Sequence, residues 1–266
     1  MGLGDMAAKA AELSSTDPGL DPGAAPGADP EVDPLSAALD VLRTARETGL
    51  SSALAAAVRH LDFLAPCSDK GFCVLPDGSA ASSPEIRGWL MAGRVVPGER
   101  VTVRPGPRHE LAEREGLEVL QVVPRDRLDD GAGPEPGQHD RLALAGTLFA
   151  ALRAGLAEAL LERAVAHVAG RRSGERPLIE RQLVRAKIAD CVAAVRACEL
   201  LLTTSGADPY AAPELHRRLD AADAALTNLF GGAGYLADHP VRSLYVAAYV
   251  GSLWVAPPRD PEREWS

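Results

Sequence analysis

Residues 177–204, PLIERQLVRAKIADCVAAVRACELLLTT, set Val184, Ile188, Cys191, Val195, Cys198 and Leu202 at intervals of 4-3-4-3-4. Steps of three and four keep these side chains on one stripe of an α-helix. The stretch therefore reads as a helix over Pro177–Thr204, with both cysteines on its buried seam. Working outward, an alanine- and leucine-rich run over Asp140–Ala169 reads as a longer helix ended near Gly170. Pro213–Phe230 reads as a third, stopped by Gly231-Gly232, and Pro240–Trp254 as a fourth, stopped by Pro257-Pro258. Four helices on short connections predict an antiparallel bundle.

Upstream the pattern changes. Residues 1–34 (…DPGLDPGAAPGADPEVDP) hold seven acids and one base, so about two thirds of the formal net charge of −9 lies there. Such a segment lacks the apolar surface to offset its ordering entropy, and a disordered acidic tail is expected. A helical pair follows, Leu35–Thr48 and Ser51–Leu64, broken at Gly49. Residues 67–130 carry short apolar runs (Gly71–Leu75, Arg100–Val103, Leu117–Val123) between Gly/Pro turns, with a short helix over Pro84–Met91. They read as a small strand-containing module. Asp130–Gln138 reads as a linker. The expected organisation is thus a tail over 1–34, a reduced helical and β-containing module over 35–130, a helical bundle over 140–256 and a flexible end over 257–266.

Several function classes are disfavoured. No face is expected to be strongly basic, which argues against nucleic acid. The apolar stretches are broken by charges, and no basic-then-apolar leader opens the chain, so neither a membrane span nor a secretion signal is expected. Cys67, Cys73, Cys191 and Cys198 form no CxxC, so no metal site is expected and the thiols read as reduced core residues of a cytoplasmic protein. His109, His139, His167, His216 and His239 show no ligand spacing; His167 and His216 read as surface or internally satisfied residues.

Three segments resemble the acyl-CoA dehydrogenase family. Arg171–Gln182 (RRSGERPLIERQ), followed by Ile188-Ala189-Asp190, is similar to the family's Arg-x-x-Phe-Gly-x-Pro-Ile/Leu-x-x-x-Gln and the Ala-Asp helix after it; Gly174 and Glu175 replace Phe-Gly. Ala225–Tyr235 (ALTNLFGGAGY) is similar to the family's Gln-x-x-Gly-Gly-x-Gly-Tyr/Phe loop, with Asn228 in place of glutamine. His239–Tyr245 (HPVRSLY) resembles the segment leading to the family's Arg-Asp-Ala and catalytic Glu-Gly-Thr. More weakly, Leu117–Leu128 resembles the last strand of the family's middle β-domain. The resemblance implies a mainly α fold: an acyl-CoA dehydrogenase-type antiparallel four-helix bundle, preceded by a small helical pair and a short strand-containing module. Residues 35–130 are too few for the family's full upstream domains, so a truncated or divergent member is expected.

Members of that family oxidise the α,β bond of an acyl thioester: a shielded carboxylate takes the α-proton and FAD takes the β-hydride. The resemblance implies FAD contacts from Arg171, Gln182, Asn228, Gly231 and Gly232, which in the family cross a subunit boundary. Counted from Gly231-Gly232, the catalytic glutamate falls on Val255, and the Arg-Asp pair on Val246 and Ala247. Relatives with the base on the first bundle helix would place it at Ala145. Asp140, beside Arg141, lies five residues earlier, not a whole number of turns, and reads first as an N-cap or first-turn acid. Three readings stay open. One is a degenerate partner subunit, forming a homo-oligomer or a hetero-oligomer with a full-length acyl-CoA dehydrogenase. Another is an active FAD enzyme on an acyl thioester with a relocated base such as Asp140. The last is a non-catalytic binding or structural remnant.

Overall fold

The computed structural model describes residues 33–78, 86–91, 94–126, 138–205 and 211–254. The expectations for the acidic tail over 1–32, the 130–137 linker, Val255 and the C-terminal end fall outside the described residues.

The first helix, α1 (Pro34–Thr48), starts inside the segment read as tail. The Asp33 carboxylate accepts from the backbone N–H groups of Leu35 and Ser36 at 3.3 and 3.1 Å, and Pro34 takes the first helical position. A capping side chain satisfies donors that the helix leaves orphaned, and proline there loses no hydrogen bond. α2 (Leu50–His60) stops four residues before the expected Leu64, because Asp62 and Phe63 adopt positive φ (55° and 60°) and turn the chain into a strand.

Between α2 and α4 the described strands form two small sheets. In the first, β1 (Leu64–Pro66) runs parallel to β3 (Gly88–Met91), which pairs antiparallel with β4 (Arg94–Pro97). In the second, β2 (Phe72–Pro76), β6 (Leu117–Pro124) and β5 (Val101–Pro105) are antiparallel in the order β2-β6-β5. A short helix, α3 (Glu110–Arg114), precedes β6. The expectation of a helix over Pro84–Met91 is corrected: its described end is β3, whose Trp89 and Leu90 are buried between two strands.

α4 (Gln138–Ala169) is the axis of the molecule, and α1, α2, α5 (Gln182–Ser205), α6 (Ala211–Leu229) and α7 (Arg242–Trp254) pack around it. Its middle is buried on every side, from Ala143 through Leu160 with few exceptions. By length and composition α4 could cross a membrane, but 83% of its most apolar window is covered by protein, which makes it a core helix. α1 crosses it closely. At Gly155 a Cβ would sit 2.2 Å from the Leu42 carbonyl oxygen, so only glycine permits this approach.

α5 starts at Gln182 rather than Pro177. The intervening residues form a hairpin, β7 (Arg172–Ser173) with β8 (Arg176–Pro177), and a 3₁₀ turn over Leu178–Glu180. Side chains hold that detour in place: Arg181 donates to the Ser173 carbonyl at 2.7 Å, and Arg172 to that of Glu175. The periodic seam of α5 is as expected, with Cys191, Val195, Cys198 and Leu202 buried.

Candidate functional site

At the C-terminal end of α4, Arg171 follows the helix stop and its guanidinium lies 3.3 Å from His167 Nε2. The α6 end arrives beside it. Gly231 has φ +62°, and a Cβ there would lie 3.9 Å from Arg171 Nη1, opposite the start of a 3₁₀ turn over Gly231–Tyr235. Phe230 is the buried pillar under this turn, with its ring 5.3 Å from that of His167 and 4.6 Å from that of His239. Burial, together with the charges of His167 and Arg163, holds His239 below its ordinary value, outweighing the opposing pull of Asp238. Arg171 and two imidazoles therefore meet at a glycine turn, with the Arg163 charge acting on His239, and such a surface can take an anionic group through cationic side chains and open backbone.

The other residues assigned to the cofactor are Gly232 and Asn228, at the same turn, and Gln182 on α5. Gln182 is exposed at the start of α5. Asn228 is exposed near the end of α6, where its Oδ1 accepts from the Tyr235 hydroxyl at 3.1 Å. At Gly232 a Cβ would meet nothing within 4 Å, so its glycine identity answers to no packing demand inside this chain. Asp140 is exposed in the first turn of α4, and Ala145 is fully buried. On α7, Val246 and Ala247 are fully buried, and Gly251 and Trp254 pack on the Phe149 ring of α4. Val255 lies beyond the described residues.

A second constellation escaped the sequence reading. Arg153, at mid-length in α4, is only 3% exposed. Its Nη2 donates to Asp220 Oδ1 at 2.6 Å and to Asp223 Oδ2 at 2.7 Å, and its Nη1 reaches His216 Nδ1 at 3.1 Å. Because a guanidinium only donates, Nδ1 accepts, and His216 Nε2 donates to the Gly146 carbonyl at 3.1 Å. His216 is thus neutral; burial and then the Arg153 charge push it down to about 4. One cation shared between two carboxylates does not offset the desolvation of the inner one, so Asp223 is pushed up to about 6. A turn and a half further along α4, buried Glu158 receives Arg46 from α1 at 3.3 Å and Arg196 from α5 at 3.4 Å. The legible signal was the 216–220–223 spacing, which puts one imidazole and two carboxylates on one helical face. No group of three or more metal-ligating side chains occurs among the described residues.

The fold so built is a helical bundle around one buried helix, with an arginine and a glycine turn joined at its end. Residues 138–214 match the family model of the acyl-CoA dehydrogenase C-terminal domain. That match is to the C-terminal domain of the acyl-CoA dehydrogenase family and covers this segment of the chain. Similar solved structures include glutaryl-coenzyme A dehydrogenase in a glutaryl-CoA complex (20% identity, 59% of this chain and 45% of that one, TM-score 0.45). Another is a glutaryl-CoA dehydrogenase from Mycobacterium smegmatis in complex with FADH2 (19%, 60% and 46%, TM-score 0.47). A third is butyryl-CoA dehydrogenase from Megasphaera elsdenii (18%, 72% and 59%, TM-score 0.47). The chain spans about half the length of these structures. No curated protein sequence matches it.

Proposed function

We propose that this chain is a degenerate, non-desaturating subunit of a cytoplasmic FAD-dependent acyl-thioester oxidation system, associating with a full-length acyl-CoA dehydrogenase or with itself. One observation carries the reading: the positions that count to the family's Arg-Asp pair are Val246 and Ala247, fully buried on α7. Residues sealed in a core cannot reach a substrate. The count further puts Val255 where the catalytic glutamate would stand, and a valine accepts no proton. Losing a general base alone costs about 10²–10⁴ in rate.

The cationic turn supports a retained role toward the flavin. Arg171 beside Gly231-Gly232 fits a pyrophosphate: the guanidinium supplies paired donors and the glycines allow close backbone approach. When bound, FAD would supply the hydride acceptor. Gln182 and Asn228 would add contacts from the ends of α5 and α6, and with Val255 counted to the base position the partner would bring the base.

The test is co-purification of the chain with a full-length acyl-CoA dehydrogenase of the same source, followed by flavin absorbance and acyl-thioester desaturation assays. A stable complex, with flavin content lowered several-fold by Arg171→Ala, is expected. If no complex forms, the homologue's activity is unchanged and no flavin band appears, the chain is a structural remnant and the proposal fails. If the isolated chain desaturates acyl thioesters and Asp140→Asn abolishes that turnover, the relocated-base reading replaces it.

A further inference from the structure

The turn joining β1 to β2 brings together two cysteines that the flavin-side reading does not use. Ser68 N–H donates to the Phe72 carbonyl and Gly71 N–H to the Ser68 carbonyl, each at 2.8 Å, while Gly71 holds φ +74°. These bonds define a three-residue loop, Asp69-Lys70-Gly71, in which a type I turn ends in a left-handed glycine bulge. Ser68 and Phe72 are then its hydrogen-bonded pair, and Cys67 and Cys73 are the next pair outward. The Cys67 N–H points away from Cys73, to the Leu90 carbonyl at 2.8 Å, as it must in a non-hydrogen-bonded pair. In a ladder the Cα atoms of such a pair stand about 4.5 Å apart, near the ~4.4–6.8 Å of disulfides; here the cysteines flank the point where the strands part, β1 to pair with β3 and β2 with β6. Burial first, and then the neighbouring Cys67 thiol, push the Cys73 thiol well above its ordinary value, while Cys67 Sγ donates to the Ala65 carbonyl at 3.8 Å.

We infer that Cys67 and Cys73 form a reversible thiol-oxidation site for small peroxides, closing a disulfide across the β1–β2 turn. The two sulfurs differ in access: Cys67 is 8% exposed, whereas Cys73 is fully buried. The Cys67 thiolate attacks one peroxide oxygen and the O–O bond breaks. Hydroxide leaves, taking a proton to become water, and Cys67 becomes a sulfenic acid. Cys73 sulfur then attacks Cys67 Sγ, giving up its proton as the second water departs. Two thiols and one hydrogen peroxide thus give one disulfide and two waters, the sulfurs supplying both electrons. Because β1 belongs to one sheet and β2 to the other, the bond ties the two sheets together at their shared turn. The remaining thiols serve as internal controls. Cys191 and Cys198 lie two turns apart on α5, about 10 Å along the axis, too far for a bridge.

The experiment treats the folded full chain with stoichiometric hydrogen peroxide, blocks remaining thiols in acid and digests with trypsin without reductant. Trypsin cuts after Lys70, between the two cysteines, so the peptides His60–Lys70 and Gly71–Arg87 part unless a disulfide holds them. The expected result is one cross-linked species, two hydrogens lighter than its parts and separated by reductant, with Cys191 and Cys198 still blocked as free thiols. In Cys73→Ser, a sulfenic acid should persist on Cys67 and be trapped by dimedone. Recovery of the two peptides separately from the wild type, with Cys67 either untouched or over-oxidised to sulfinic acid, overturns the inference. So does a cross-link that engages Cys191 or Cys198. The wild-type peptide map decides the matter even if the Cys73 variant does not fold.

Discussion

His216 and Asp223 share one guanidinium yet are displaced in opposite directions, which gives the acid stability of this protein an unusual form. Burial raises Asp223 from 3.8 to about 6. A carboxyl with a raised folded-state value stabilises fully below the unfolded value, and that stability is lost as pH rises through 6. Burial lowers His216 from 6.5 to about 4. A depressed imidazole stabilises above the unfolded value, and that stability is lost as pH falls through 4. Each displacement is a little over two pH units, or about 3 kcal/mol at ~1.36 kcal/mol per unit. Between pH 4 and 6 the unfolded pair carries imidazolium and carboxylate, while the folded pair tends to imidazole and carboxyl. The net charge of the two is the same, so their slopes offset and this part of the stability profile is flat. Asp223→Asn removes one half. Relative to wild type, the variant should gain about 2–3 kcal/mol as pH rises from 4 to 6.5. His216→Gln removes the other half and should gain a similar amount as pH falls over the same interval. Urea unfolding across that range, taken as difference curves, cancels the exposed carboxylates common to all three proteins. Two flat difference curves, or two curves sloping the same way, would refute the opposed-titration argument.

Further outcomes are expected at Arg153 and at two glycines. Arg153→Met leaves Asp223 buried without its cation and should cost about 3–5 kcal/mol in urea unfolding. Arg153→Met with Asp223→Leu should recover most of that loss, since an apolar replacement of a buried ion pair is often close to neutral; amide exchange at residues 231–235 should nevertheless accelerate. Gly155→Ala must push α1 away from α4, because its Cβ would lie 2.2 Å from the Leu42 oxygen. It should cost about 1–3 kcal/mol, whereas Gly232→Ala, with open space around it, should cost a few tenths at most in thermal unfolding.

What the sequence made legible follows from what is local. The seam of α5 could be read because each of its members lies three or four residues from the next, and Cys191 and Cys198 are buried on it as that spacing requires. The first turn assigned to that helix could not. Pro177, Leu178 and Ile179 extend the apolar pattern, but the chain there is diverted by a left-handed Gly174 and by arginine bonds to carbonyls. β3 was misread because a four-residue apolar run fits either a strand or a helix, and its partner Leu64 lies 24 residues away. In the site, Arg171 and Gly231 were legible through resemblance and do meet. Arg153 was not, because a lone arginine in an alanine-rich run is by default a surface residue. Only the fold shows that its partners wait on α6.

The charges kept inside the bundle call for a reason other than stability. A buried ion pair is weak support for a fold, since packed apolar groups of the same volume hold helices as well or better. What the pair does supply is direction: bonds of 2.6 and 2.7 Å from one fixed guanidinium define the rotation and the height of α6 against α4, where alanine against leucine would permit several. The same two helices carry the cationic turn, Arg171 just past the end of α4 and Gly231 just past the end of α6. Asp223 stands about two turns from the end of α6, so an error in register there would be delivered to Gly231 nearly undiminished. Under this argument the Arg153 network is a positioning device for the turn. That is why the apolar double variant should keep its stability and still loosen residues 231–235; unchanged exchange there would reduce the network to a buried ion group with no consequence at the site.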